Sequence, residues 1–187
     1  QFKPSTPYAV SHAAIDYHLR CLGKQFNFPY CIGRFANFYG PGQQLYRVIP
    51  KAIICFLTKD KFILDGGGKS KRSFLYSEDI VSAIYKLLFE SKIYKEYNFS
   101  SNEEISIKEL IERICNLLNV DFNQNVLLGE ERIGKDMFYR MNCKNSSKEL
   151  NWKSNILLED GLIKTIDWIM RNLSQLRFES STYIHRR

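Results

Sequence analysis

The chain has 187 residues, enough for one sizeable core or two small interlocked ones. Its 44% hydrophobic and 25% charged residues are an ordinary globular balance and argue against disorder. A net charge of +7 suits an anionic partner, whether nucleic acid, an acidic membrane surface or a phosphorylated small molecule, without choosing among them. Eleven Tyr and thirteen Phe call for aromatic packing or stacking surfaces. The five cysteines (Cys21, Cys31, Cys55, Cys115 and Cys143) are odd in number, widely spaced and lack any CxxC pair. That pattern argues against a disulfide framework or a zinc site; it predicts mostly buried thiols in a reducing cytoplasm. Neither a signal peptide nor a transmembrane run stands out. There is no initiator Met and Gln1 runs almost directly into a helix, so the expectation is a chain that begins mid-protein.

In chain order, Ser5, Thr6 and Pro7 form a helix-start signal for a helix over 7–25, which ends near Gly23. Pro29 to Phe35 reads as a short strand leading into a turn-rich segment from Asn37 to Gln44. Pro50 stands in the first turn of a helix reaching Leu57. Short strands are predicted over Lys61–Leu64 and Ser73–Tyr76, on either side of Gly66-Gly67-Gly68 and a basic loop, Lys69 to Arg72. Ser77 is expected to cap a helix from Glu78 to Phe89, with Glu78 and Asp79 in its first turn. A strand follows at Tyr97–Phe99, then a helix over 107–118 opened by Ser106, with Glu109 placed for a capping box. Asn125–Leu128 reads as a strand, residues 145–150 as a short helix, and Leu158–Leu173 as the last helix. The alternation of strands and helices predicts an α/β fold.

Several stretches carry chemistry. Tyr8 and His12, four residues apart on one helix face, form a candidate acid/base pair, although alone they read first as a helix-start Tyr and a surface His. Gly68-Lys69-Ser70 is not a phosphate loop, since position 63 is Ile and a strand rather than a long helix follows. No GxGxxG occurs, so the chain has no dinucleotide fingerprint. Lys69, Lys71 and Arg72 beside the glycines could approach phosphate oxygens, or simply face solvent. Asn37, leaving a strand end before Gly40-Pro41-Gly42, sits where open α/β sheets bind ligands.

Taken together and in order, these pieces closely resemble the extended short-chain dehydrogenase/reductase family, in particular nucleotide-sugar epimerases and 4,6-dehydratases. The resemblance rests on Tyr8-Ala9-Val10-Ser11 with its helix, Arg34-x-x-Asn37-x-Tyr39-Gly40-Pro41, and Ile49-Pro50. It continues through Gly66-Gly67-Gly68 to Arg72 and Asp79, Tyr97-Asn98-Phe99 with Asn102-Glu103, Arg132 to Asp136 with Arg140, and Lys148-Glu149-Leu150-Asn151-Trp152 with Gly161. It covers about residues 4–171. It implies the C-terminal part of a Rossmann-type fold with a small substrate-binding α/β subdomain. Residues 1–40 would hold the end of the NAD domain, 41–175 the substrate subdomain interleaved with the last Rossmann elements, and 176–187 a flexible tail.

The resemblance also implies roles. Tyr8 would be the catalytic acid/base, with His12 at the family's Lys position, both touching NAD. Asn37, Tyr46, Arg47, Arg72, Asn102 and Arg132 would bind substrate, the two arginines Arg72 and Arg132 on its diphosphate. A nucleotide-diphosphate sugar and a second copy of the chain are the implied partners. Asp79 and Asp136 read as structural, Trp152 as a core anchor, and His18 and His185 as surface residues. Two departures stand out. His12 replaces the Lys that lowers the Tyr pKa and hydrogen-bonds the nicotinamide ribose, and an ordinary histidine is mostly neutral near pH 7. The family's Gly-rich first half is also absent from the sequence, so the expectation is either a fragment or a protein that has lost its cofactor half. The functional expectation is the C-terminal portion of an NAD-dependent nucleotide-sugar 4,6-dehydratase or epimerase, inactive in isolation. A non-catalytic nucleotide-sugar-binding domain is the alternative. A basic nucleic-acid-binding protein rests on charge and aromatics alone, with no recognised motif behind it.

Overall fold

Parallel pairing dictates the architecture, because parallel strands need long crossovers and helices supply them. A computed structural model describes residues 4, 6–131, 137–177 and 179. Strand β1 (Cys31–Phe35) pairs in parallel with β6 (Lys95–Phe99), β2 (Asn37–Tyr39) with β5 (Phe74–Tyr76), and β3 (Phe62–Asp65) with β8 (Val126–Gly129). One antiparallel pair joins β4 (Lys71–Arg72) to β7 (Ile105–Ser106). β1 and β2 run on through Ala36, whose N–H donates to Phe99 at 2.8 Å. One continuous stretch thus passes from one parallel partner to another, which places Asn37 at the changeover.

The helices are α1 (Pro7–Phe26), α2 (Val48–Leu57), α3 (Ser77–Glu90), α4 (Ile107–Leu118), α5 (Phe122–Asn125), α6 (Lys144–Glu149) and α7 (Leu158–Leu176). The larger core gathers Ile49, Ile53, Leu64, Leu110, Ile114 and Leu162 from α2, β3, α4 and α7. The smaller one packs Ala36, Leu75, Ala83, Phe99 and Trp152, with the Phe99 and Trp152 rings edge to face at 4.9 Å. Trp152 is thus the core anchor its sequence context suggested. Among the described residues no helix is long and apolar enough to cross a membrane.

Helix α1 is docked differently from the others. Thr6 caps it, accepting from Ala9 at 3.1 Å with Pro7 at the first position, and Asn27 ends it in the left-handed region. Gly23 is its one buried residue, pressed against Tyr30 and Tyr94. Ala9, Ala13, Leu19 and Leu22 are half-buried beside it, and an ionic network adds to this contact: Arg34 on β1 bridges Asp16 on α1 and Glu96 on β6, and Glu96 also takes Arg20 of α1. This network fixes the helix that carries Tyr8.

The structure differs from the sequence reading in several places. Asn37–Tyr39 is a strand rather than the start of a turn, because β5 lies alongside to receive its backbone groups. The basic loop contains β4, which β7 and the segment at Phe138 pair. Tyr76, not Ser77, is the N-cap of α3, without a side-chain cap. Helix α7 continues three residues beyond Leu173, to Leu176, so the first described part of the expected tail is helical; residues 178 and 180–187, with His185, lie outside the described residues. The glycine turn is a 3-10 turn with left-handed φ, and a Cβ on Gly68 would strike the Lys108 backbone. Helix α4 spans Ile107–Leu118 and its Ser106–Glu109 capping box is complete, both bonds being present.

The cysteine expectation also needs correcting. Cys115 alone is buried; Cys21 is exposed on α1, and Cys31, Cys55 and Cys143 are half-buried. Apolar neighbours in sequence do not ensure burial on a helix with an uncovered face. Burial pushes the Cys115 thiol up to about 11 and raises those of Cys55 and Cys143. Since the thiolate is the reactive form, a disulfide reagent at pH 8 should modify Cys21 first and Cys115 last. Peptide mapping of the labelled protein checks this order; early labelling of Cys115 would contradict it.

Candidate active site

One cleft of about 920 Å³ opens where the β2 strand end, the following loop and the start of α2 meet the N-terminus of α1. Tyr8, Asn37, Tyr46 and Arg47 all line it. The structure therefore brings together four of the residues the sequence singled out, from three separate segments. Gly40 makes the bend after β2 possible: its φ is +148° and a Cβ there would press on the Ser77 side chain. The chain then turns through Gln43 to Arg47, the N-cap of α2.

The electrostatics of the cleft are one-sided. Among the described residues Arg47 and Lys51 are its two cations, one helical turn apart, and no Asp or Glu lines it. Neither cation has a carboxylate partner among the described residues. Arg47 lies over the Tyr46 ring at 5.3 Å, which orients the guanidinium beside an aromatic face. The Gln43 amide donates to the Phe38 carbonyl at 2.6 Å while its Oε1 is buried without a hydrogen-bond partner. A buried acceptor at a cleft wall is a place for a ligand donor. Phe35, Phe38, Tyr39, Phe74 and Tyr139 make the remaining wall strongly aromatic.

Of the tyrosines that line the cleft, Tyr8 and Tyr39 differ most in exposure. Tyr8 is 73% exposed, with its ring centroid 4.3 Å from that of His12. Tyr39 is buried, donates to the Leu158 carbonyl at 3.0 Å, and has its ionisation pushed well up by desolvation. A proton-transfer group has to meet the ligand, so Tyr8 is the candidate and Tyr39 is structural. His12 is exposed beside Tyr8 and is not part of the cleft wall.

Not every expected residue joins this cleft. Asn102 lines a separate cavity beside α6. Arg72 lies in β4, opposite Ile105, with Nη1 donating to the Lys71 carbonyl at 2.7 Å. Arg132 and Asp136 fall outside the described residues. Three lining residues had no role assigned from the sequence. Lys51 was accessible from its four-residue spacing to Arg47, and Gln43 from its place in the glycine loop. Tyr139 gave no signal, since only tertiary structure returns its segment to the cleft.

A family model, the NAD dependent epimerase/dehydratase family, matches residues 1–99. The chain belongs to that family. It is thereby an extended short-chain dehydrogenase/reductase, with the α/β fold of Rossmann-type nucleotide-sugar enzymes. Among curated proteins it is 29% identical over 172 residues to a trifunctional UDP-glucose 4,6-dehydratase/3,5-epimerase/reductase of Arabidopsis thaliana, covering 92% of this chain and 26% of that protein. It is 31% identical over 175 residues to the dTDP-D-glucose 4,6-dehydratase of Mus musculus, covering 91% of this chain and 49% of that protein. The dTDP-glucose 4,6-dehydratase of Streptomyces venezuelae, solved with NAD bound, superposes with a TM-score of 0.89 at 25% identity, over 94% of this chain and 54% of that one. The chain thus spans about half the length, or less, of these epimerase/dehydratase relatives.

Proposed function

We propose that the cleft binds the diphosphate and sugar of a nucleotide-diphosphate sugar, and that the chain forms the substrate-binding part of an NAD-dependent 4,6-dehydratase or epimerase. One observation carries the reading: an exposed tyrosine and two cations share an aromatic cleft that, among the described residues, holds no carboxylate. A diphosphate supplies the missing negative charge, and the Arg47 fork suits paired phosphate oxygens. Lys51 adds a point charge one turn on. Aromatic faces suit the sugar and base, and Asn37 and Gln43 can hydrogen-bond sugar hydroxyls. The dTDP-glucose dehydratases among its relatives favour a dehydratase.

In this reading the Tyr8 oxygen takes the proton of the reacting sugar hydroxyl. NAD, when bound, supplies the hydride acceptor. The residues present fit one end of that cofactor: Tyr8 and His12, exposed on adjacent turns, offer a phenol and an imidazole for a ribose hydroxyl. No GxGxxG fingerprint for the pyrophosphate occurs in these 187 residues, and in this reading they contribute sugar-nucleotide binding. Exposed Val10, Ile15 and Tyr17 on α1 support a homodimer.

Thermal-shift measurements with dTDP-, UDP-, CDP- and GDP-glucose test the binding reading. At least one should raise the midpoint in a concentration-dependent way; no stabilisation by any of them would refute it. His12 favours a second reading, a binding domain without catalysis, because an imidazole lacks the fixed charge that would activate Tyr8. In an assembly that supplies an NAD-binding half, His12→Lys should raise turnover. An unchanged rate would show that the imidazole is not the defect.

A further inference from the structure

A second cavity of about 520 Å³ lies between the end of β6 and helix α6, and shares no lining residue with the cleft. The wall between the two is thin. Ser73 and Arg140 line this cavity, while their neighbours Phe74 and Tyr139 line the cleft.

Charge is what distinguishes the cavity. Arg140, Lys144 and Lys148 follow one another at four-residue steps around it, and Glu104 is its single carboxylate among the described residues. Glu104 Oε2 accepts from Arg140 Nε at 2.8 Å, and the guanidinium lies 5.8 Å from the Phe138 ring centroid. Held by Nε and the ring, Arg140 keeps its two terminal amino groups for another acceptor. Lys144 and Lys148 have no carboxylate partner among the described residues. Their neighbours behave differently: Lys92 and Lys95 both reach Glu149, at 3.5 and 3.6 Å. Asn102 and Ser147 add an amide and a hydroxyl to the wall.

We propose that this cavity binds a phosphomonoester carried on a hydroxyl-bearing body, such as a sugar phosphate. The three cations less Glu104 match the near-double negative charge of a phosphomonoester at neutral pH. The Arg140 fork takes two phosphate oxygens, the lysines neutralise the rest, and Asn102 and Ser147 meet the hydroxyls. The site stands apart from the nucleotide-sugar reading of the cleft and does not depend on it.

Phosphorus NMR titration of the whole chain tests the proposal, with inorganic phosphate and glucose 6-phosphate as probes in a phosphate-free buffer. Both should bind saturably, the sugar phosphate more tightly. The exposed pair Lys144→Gln, Lys148→Gln and, separately, Arg140→Gln should each weaken binding at least about tenfold, the scale of one charge-assisted hydrogen bond. The lysine pair is fully compatible with folding because both side chains face solvent, which circular dichroism can verify. Arg47→Ala should leave glucose 6-phosphate binding unchanged. No saturable binding, affinity equal to that of the unmodified chain in both variants, tighter binding of inorganic phosphate, loss in Arg47→Ala, or displacement by dTDP-glucose would each overturn the site.

Discussion

Replacing Arg47 by alanine should lower the affinity for a nucleotide-diphosphate sugar by about 100-fold and abolish most of its thermal stabilisation. Two charge-assisted hydrogen bonds to paired phosphate oxygens, each worth about 1.5 kcal/mol at the low end, give about 3 kcal/mol, and solvent screening of the exposed guanidinium brings this to about 2.7 kcal/mol, or about 100-fold. Nothing else in the cleft replaces that fork: Lys51 is a single point charge and the other lining side chains are neutral. Lys51→Ala should cost less, about tenfold, because an ammonium gives charge without a paired geometry. Both effects should shrink as salt rises, since Arg47 is exposed and its charge is screened. The Arg47 variant should fold normally. It is an N-cap without a side-chain capping bond, so the helix loses nothing there. Calorimetric titration of the unmodified chain and the two variants checks the ranking, and an Arg47→Ala variant that binds as well as the unmodified chain would contradict it.

The second large effect concerns stability. Asp79, in the first turn of α3, is 3% exposed and its two oxygens accept from the backbone N–H groups of Asn155 and Ile156, at 3.0 and 3.1 Å. It ties α3 to the segment that leads into α7, and thereby joins the smaller core to the larger. Asp79→Ala leaves two amides without their acceptors and removes a charge from the start of a helix, where the dipole favours it. The expected cost is about 3 kcal/mol. For a chain of this size that is about 6–12 °C in the midpoint of thermal unfolding. Asp79→Asn keeps one acceptor oxygen and should lose about half as much. Reversible urea unfolding of the three proteins measures the differences; a loss below about 1 kcal/mol for the alanine variant would remove Asp79 from this role.

Local chemistry explains which parts of the fold could be read from the chain. The Ser106–Glu109 box and Thr6-Pro7 are signals that act within three residues, and both appear in the structure as the sequence predicts. Pro50 likewise sits in the first turn of α2. The strand at Asn37–Tyr39 was hidden because its partner, β5, lies 37 residues away in register, Asn37 opposite Phe74. β4 was hidden for the same reason, its ladder completed by Ile105–Ser106 and by the segment at Phe138. Strand character at such places comes from the neighbour rather than from the residues themselves.

The site divides along the same line. Asn37, Tyr46 and Arg47, which the family resemblance implied together, lie within eleven residues on one strand–loop–helix unit and line one cleft. Tyr8 joins them because Arg34 and Glu96 clamp α1 to the sheet, an ionic arrangement that no local pattern announces. Asn102 was expected beside these residues, yet the chain carries it past β6 into the neighbouring cavity. Arg72 is directed by the β4 ladder, not by the glycines that precede it. Residue type told what each group could bind; only packing decided which of them share a wall.

We place the nucleotide-diphosphate sugar in the cleft between α1 and the start of α2. Backbone amide chemical-shift mapping of the isotopically labelled chain, titrated with dTDP-glucose and UDP-glucose, locates the ligand directly. The largest shifts should fall on Asn37 to Tyr39, Gln43 to Lys51 and Tyr139, and should saturate together. Shifts confined to Ser100–Glu104 and Arg140–Lys148, or no saturable shifts with either ligand, would contradict this placement.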